Sequence, residues 1–462
     1  MRSSVARRVV NPALELASRQ ELLDLQARRL VSQVRRCYER IPFYRKRWPA
    51  AAANLSSLEQ FQAIIPFTAK PDFLGSDEEV LSERLARPGS RPFSFHLTSG
   101  TTGLGQEVHA LTRLDQEGSA SSWVYHAHWA GLELGDSVFY TFPVGMQTGG
   151  LWSSHASDRM ASLGFHTGPY STERKVDYML RFRPNAMIAS PAYLTQLQAV
   201  LERRGAAPRE ALPNLKALFI AGESYTLEWA ARSLDFWDAN ISEWYGSMQG
   251  GLNQCISCEY GIVSDGGRGQ LHSMEHRILC EVLDPETNEQ VAPREEGEMV
   301  ITSLYKEGFP VIRFRTGDRV RYLGVTCPCG RPFAAIEAGT IARYDDMMKI
   351  RGQNVWPEAV DRIVFAAGDI EEYAGVVSTD LDGRETVQMS VEFRQQLALP
   401  EQTQAQRVKE LTAAIQTKLN IRIDISVVAY RSLPRYEFKV RRWTDKRREG
   451  RTVVRYVKDG GA

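Results

Sequence analysis

Apolar and charged positions interleave at helical spacing between residues 16 and 47, with Leu22, Leu25, Leu30, Val34, Cys37 and Tyr38 as the apolar positions. The pattern stops at Ile41-Pro42, so it predicts one amphipathic helix ended by a residue that cannot donate a backbone hydrogen bond. Between residues 90 and 320, short β-rich runs alternate with helical stretches. Ser137–Phe142, Ala186–Ser190, Ala217–Ala221, Cys280–Asp284 and Glu298–Thr302 read as strands, and Lys175–Arg181, Tyr193–Arg204 and Leu227–Ala239 as helices. Such alternation predicts an α/β layered domain. Near residue 340 the pattern resets to strands at Met347–Ile350, Ala374–Ser378, Gln388–Phe393 and Ile423–Val428, with helices at Pro357–Ala366 and Gln404–Leu419. That is a second, smaller α+β unit. No internal repeat and no low-complexity segment interrupts the two.

Composition narrows the classes. The 462-residue chain balances 57 Lys+Arg against 56 Asp+Glu, a formal charge of +1, which argues against a nucleic-acid coat. No apolar run is long enough to span a bilayer. The arginine-rich opening (Arg2, Arg7, Arg8) lacks the apolar core of a signal peptide, so a soluble cytoplasmic protein is expected. Four of the six cysteines form two tight pairs, Cys255/Cys258 and Cys327/Cys329, which in a reducing compartment suggests a metal site rather than disulfides. Cys37 and Cys280 lie inside regular segments and are expected to be small buried hydrophobes.

The sharpest local signal is Leu97-Thr98-Ser99-Gly100-Thr101-Thr102-Gly103-Leu104-Gly105. Glycines let the backbone turn tightly and expose successive N–H groups, and the hydroxyls add donors, an arrangement suited to phosphate oxygens. It is not a Walker-type loop, since Gly-Lys-[Ser/Thr] is missing. No Gly-x-Gly-x-x-Gly follows a strand, which makes a dehydrogenase an unfavoured reading.

Further motifs follow in order: Ala221-Gly222-Glu223 after the apolar run Ala217–Ile220, Tyr245-Gly246-Ser247-Met248-Gln249, Arg313-Phe314-Arg315-Thr316-Gly317-Asp318, Ala342-Arg343-Tyr344-Asp345-Asp346, and Leu433-Pro434-Arg435-Tyr436-Glu437-Phe438-Lys439. With the Ser-Gly-Thr-Thr-Gly loop they resemble the motif set of the adenylate-forming superfamily, which includes acyl-CoA synthetases, luciferases and adenylation domains. Ile65-Pro66-Phe67-Thr68-Ala69-Lys70, Cys327-Pro328-Cys329-Gly330-Arg331 and Gly352-Gln353-Asn354-Val355-Trp356-Pro357 are similar to its phenylacetate-CoA ligase branch. The resemblance implies a large multi-subdomain N-terminal α/β domain over residues 1–343 and a mobile α+β C-terminal lid over residues 344–462.

The resemblance also implies roles. Thr98, Ser99, Gly100, Thr101, Thr102 and Gly103 would hold ATP phosphates; Gly222, Glu223, Tyr245, Gly246 and Ser247 would lie beside AMP. Asp318 would accept from the ribose hydroxyls, with Arg343 near ribose or phosphate and Asp345 as the hinge. Lys439 would bridge the attacking carboxylate and the α-phosphate, and the lid would later bring Lys349, Arg351 and Gly352 to the thiol. Three departures stand out. Gly103-Leu104-Gly105 replaces Gly-Lys-Pro; Gln249 replaces a glutamate that helps hold Mg²⁺ in relatives; Phe438 replaces the glycine before the lysine.

The cysteine pairs could give four thiolates to one structural Zn²⁺. In the resembled branch Cys258-Glu259 and Leu271-His272 would instead contribute, making His272 a rival to Cys255 for the fourth position. The acid pocket is expected around Phe142, Met146, Gln147, Gly149, Ala221, Ser224 and Tyr245, with Trp152, Tyr225 and Trp244 adding aromatic surface suited to a flat acid. The expected activity is an aryl-CoA ligase using ATP, Mg²⁺ and coenzyme A. The rival reading passes the acyl group to a carrier protein or another nucleophile, although no carrier domain is expected after Val457; a non-catalytic zinc-stabilised scaffold is the remote one. Nucleic acid and membrane partners are not expected, and a homodimer is left open.

Overall fold

The computed structural model describes residues 7–75, 83–85, 94–98, 107–143, 155, 159–160, 163–264, 266–350, 353–379, 385–435 and 442–448, with only the backbone described at Leu252, Asp345 and Asn354. Two compact units divide the chain, Met1–Asp345 and Asp346–Ala462, two residues past the expected boundary.

In the first unit the amphipathic stretch becomes a helix over Arg19–Arg40. Ser18 starts it with a reciprocal capping box to Glu21, and the chain restarts as a short helix over Pro42–Arg47, with proline in its first turn. Five strands then lie side by side and parallel, in the order Leu163–His166, Ser137–Tyr140, Ala186–Ala189, Ala217–Ile220 and Asn240–Ser247. The central two are buried at every residue, which explains their unbroken apolar sequence: each face is covered by helices. Val176, Leu197, Leu201, Ala230 and Trp237 cover one face from the helices Thr172–Phe182, Pro191–Arg203 and Leu227–Trp237. Trp123, Ala127 and Trp129 of the helix Arg113–Ala130 lie in the core cluster on the other.

Antiparallel strands extend this sheet. Asn240–Ser247 pairs with Gly251–Ser257, which pairs with Gln270–Ser273, and the path continues through Ala335–Glu337 and Phe314–Gly324 to Glu296–Ser303 and Ile278–Leu283. A separate hairpin pairs Ser94–Leu97 with Val108–Leu111. The second unit packs the helices Pro357–Val364 and Glu401–Leu419 with a sheet ordered Asp424–Val427, Glu385–Phe393, Ile370–Thr379 and Trp443–Asp445. No described helix is long and apolar enough to cross a membrane.

Candidate functional site

Open parallel sheets bind ligands beyond the carboxyl ends of their strands, where the crossovers leave a crevice. Phe142 follows Ser137–Tyr140 at that edge, Ala221–Ser224 follows Ala217–Ile220, and Tyr245 to Gln249 close Asn240–Ser247 and turn into the next strand. A register shift between Tyr245 and Ser247 re-aims the end of that strand. Tyr245 is buried and donates its hydroxyl to Asp318 Oδ2 at 2.7 Å. Arg343 Nη1 donates to Asp318 Oδ1 and to the Thr316 carbonyl, both at 2.9 Å, because Asp318 and Arg343 are cross-strand partners. Burial, then the Asp318 charge, pushes the Tyr245 phenol well above its ordinary range, so it remains a donor. Gly317 makes the approach with φ of +74°, and a Cβ there would stand 3.2 Å from Arg343 Nη2.

Gly222 also takes a positive φ, +88°, in the turn after its strand. The Glu223 carboxylate accepts from Ala192 N at 3.0 Å, at the start of the helix Pro191–Arg203, where an anion is favoured. Ser247 Oγ accepts from Gln254 Nε2 at 2.9 Å and from Gly250 N at 3.3 Å, and Gly246 is exposed. Thr98 closes the ladder before the serine-threonine-glycine loop. Its N–H donates to the Glu107 carbonyl at 3.0 Å, and its hydroxyl accepts from Glu107 N at 2.9 Å. Ser99, Gly100, Thr101, Thr102 and Gly103 lie outside the described residues, as do Met146, Gln147, Gly149 and Trp152 of the expected acid pocket, Arg351 and Gly352 of the lid loop, and Lys439. Lys349 is exposed on the strand Met348–Ile350, and Asp345 lies at the division between the units.

Two of the expected pocket aromatics are core residues. Trp244 points to the opposite face of its strand from Tyr245 and packs edge-on against Trp123 at 5.5 Å. Tyr225 is buried and donates its hydroxyl to Glu243, whose carboxylate also accepts from Gly339 N at 2.8 Å. Burial raises the Glu243 carboxyl to about 7, against these hydrogen bonds.

The cysteine expectation needs one correction. Cys258, His272, Cys327 and Cys329 converge, their ligand atoms all within 4.8 Å of one another, and Cys255 is not among them. The reason is strand alternation: Cys255 and Cys258 are three residues apart, so they face opposite sides. Cys255 joins the core with Leu271, whereas His272, paired with Ile256, shares the side of Cys258. Cys258 Sγ lies 3.7 Å from Cys327 Sγ, and Cys329 Sγ 3.5 Å from His272 Nε2. A tetrahedral Zn²⁺ with bonds of about 2.3 Å to sulfur and about 2.0 Å to nitrogen requires edges of roughly 3.7 and 3.5 Å, so the donor set fits. Hydrogen bonds with Cys258 and Cys327 hold the Cys329 thiol far below its ordinary range. Burial disfavours a charged imidazole, yet Cys327 and Cys329 draw a proton onto His272 and raise it to about 10. Beside the cluster, buried Arg331 bonds Glu15 at 3.0 Å and Glu259 at 2.6 Å, tying the N-terminal segment to it.

Glu107, His109 and Lys306 were not singled out by motif. Alternation directly after the loop, Glu107-Val108-His109, was the signal available, since it places both side chains on one face.

Comparison with known proteins agrees with this architecture. Residues 352–447 match the AMP-binding enzyme C-terminal domain family. The chain is 29% identical over 445 residues to a phenylacetate-coenzyme A ligase of Aromatoleum evansii, covering 94% of this chain and 96% of that one. It is 28% identical to the Pseudomonas putida protein of the same name, covering 96% and 98%. In its C-terminal unit and along its length, the chain is similar to adenylate-forming CoA ligases. Its fold matches 2-hydroxyisobutyryl-CoA ligase in the postadenylation state in complex with 2-HIB-AMP, with a TM-score of 0.84 at 23% identity, over 97% of this chain and 94% of that one. The chain thus aligns with these two relatives along nearly their whole length.

Proposed function

We propose that the chain joins an aromatic carboxylic acid to coenzyme A at the expense of ATP. The acid's carboxylate oxygen attacks the α-phosphorus, an acyl–O–P bond forms, and pyrophosphate leaves with the electrons of the broken P–O bond. The thiolate of coenzyme A then attacks the acyl carbon, and AMP departs. The relatives named for phenylacetate support an arylacetic or similar acid, and Phe142 at the strand ends offers an apolar contact.

The observation that carries this reading is the network around Asp318. A carboxylate held by Tyr245 and Arg343 at the carboxyl edge of the sheet is fixed in direction and keeps lone pairs for the two ribose hydroxyls. Arg343 adds positive charge where two anions must meet, and Lys439 is the candidate, by its sequence motif, for the remaining cation. Mg²⁺ would further neutralise the phosphates. A structural Zn²⁺ on Cys258, His272, Cys327 and Cys329 would have no open position and so no part in the chemistry. Reduced thiols of this kind suit the cytoplasm.

The test is ATP–pyrophosphate exchange with a panel of aryl and short hydroxy acids, followed by product analysis with and without coenzyme A. Exchange with an aryl acid and thioester formation are expected. Lys439→Ala should lose adenylation far more than thioester formation from supplied adenylate. Exchange without any thioester would favour a carrier protein or another nucleophile, and no exchange with any acid would overturn the proposal.

A further inference from the structure

The neck of the serine-threonine-glycine loop carries a carboxylate that none of the recurring motifs contains. Glu107 is 1% exposed, and its Oε2 accepts from His109 Nε2 at 2.9 Å and from Gln249 Nε2 at 2.8 Å. An ionised carboxylate cannot donate, so the Gln249 amide must turn its nitrogen to Glu107 and its Oε1 away. Lys306, itself buried, clamps the same residue by donating to the Gln249 carbonyl at 2.9 Å.

The charge state follows from these partners. Burial would raise Glu107, but the His109 and Gln249 hydrogen bonds, with Lys70 attracting from further off, bring it below the ordinary carboxylate range. Burial pushes His109 below its ordinary range, against the pull of Glu107. Gln249 is an uncharged donor to Glu107, and the carboxylate stands where the loop leaves its hairpin. A glutamate at position 249 would press a second negative charge against the first, and one of the two would have to take up a proton. Positions 107 and 249 can thus share only one negative charge.

We propose that Glu107 is the carboxylate that holds the nucleotide-bound Mg²⁺, and that Gln249 is its neutral partner. This rests on the nucleotide reading above. The negative ligand has moved from the end of the central strand to the neck of the phosphate loop. Mg²⁺ accepts that change, because it needs only one or two protein carboxylates and takes its other ligands from water and phosphate.

The test measures Mn²⁺ binding to the full chain with ATP, by electron paramagnetic resonance, for the wild type, Glu107→Gln, Gln249→Glu and the reciprocal double variant. ATP binding in EDTA is measured in parallel. Glu107→Gln should weaken Mn²⁺ binding at least about tenfold while metal-free ATP binding stays within about twofold. The double variant should recover most of that loss, since the charge is returned at the other position. Glu107→Asp, which keeps the charge on a shorter arm, should fall between. Wild-type Mn²⁺ affinity in Glu107→Gln, or a double variant no better than that single one, would overturn the inference. Failure of the wild type to bind ATP would overturn the nucleotide reading instead, and the EDTA measurement tells the two apart.

Discussion

Replacing Cys258 by serine tests the metal cluster and the place of Cys255 outside it. In the geometry above, Cys258 sits one tetrahedral edge, 3.7 Å, from Cys327, whereas Cys255 faces the other side of its strand. A metal that binds only the folded state at a free concentration of 1,000 times its Kd stabilises by about 4 kcal/mol. Unfolding the 345-residue first unit releases about 2.1 cal/mol/K per residue, or roughly 0.7 kcal/mol/K in all. Loss of the metal should then lower the unfolding midpoint of that unit by about 6 °C. The assay is zinc content by mass spectrometry together with scanning calorimetry. Wild type should carry about one zinc per chain, Cys258→Ser should lose most of it with the stated drop, and chelator should bring the wild type to the same midpoint. Cys255→Ser should keep its zinc and cost only about 1 kcal/mol, as a buried substitution outside the cluster. Full zinc in Cys258→Ser, or zinc lost from Cys255→Ser, would refute the assignment.

Asp318→Asn should lower kcat/KM for ATP in pyrophosphate exchange about 10- to 100-fold, the worth of hydrogen bonds to a charged group; wild-type kinetics would contradict its ribose role. Tyr245→Phe leaves Asp318 Oδ2 without that donor and should cost about 1–3 kcal/mol in chemical denaturation, and combined with Asp318→Asn the two losses should be less than additive. Gly317→Ala forces a side chain into a left-handed turn against Arg343, at roughly 1–2 kcal/mol in the same assay. Glu243, raised from 4.5 to about 7, binds its proton more tightly folded than unfolded. It therefore contributes stability below pH 4.5 that is lost as pH rises through 7, about 3 kcal/mol at most. Glu243→Gln should remove that slope from the stability–pH profile; an unchanged slope would exclude Glu243 as its source.

The parallel core was legible because strands buried on both faces must be apolar throughout, as Ala217–Ile220 is, and because Ser18, Pro42 and Pro191 punctuate their helices. The helix Arg113–Ala130 was not legible. Polar Asp115, Gln116, Ser119, Ser122 and His126 are buried along it together with Ala120, Tyr125 and Trp129, over more than half of its circumference, so no apolar stripe marks a helical period. The long strand Phe314–Gly324 was read only as a motif, since arginines alternate along it and pair with Glu296 and Glu298 on its neighbour. Element ends moved by a few residues, as in Ile278–Leu283 against an expected Cys280–Asp284.

By itself, the order of motifs pointed to the adenylate-forming resemblance and to the two-unit division, because local turn chemistry and strand-end residues are written contiguously in the chain. Folding decided which distant groups meet. Strand register chose His272 over Cys255, since a side chain's face depends on pairing that spacing alone does not encode. It also set Glu107 against Gln249, 142 positions apart, where their contact leaves room for one negative charge. Electrostatic partners of this kind are fixed by distance in space, and only the folded chain supplies that distance.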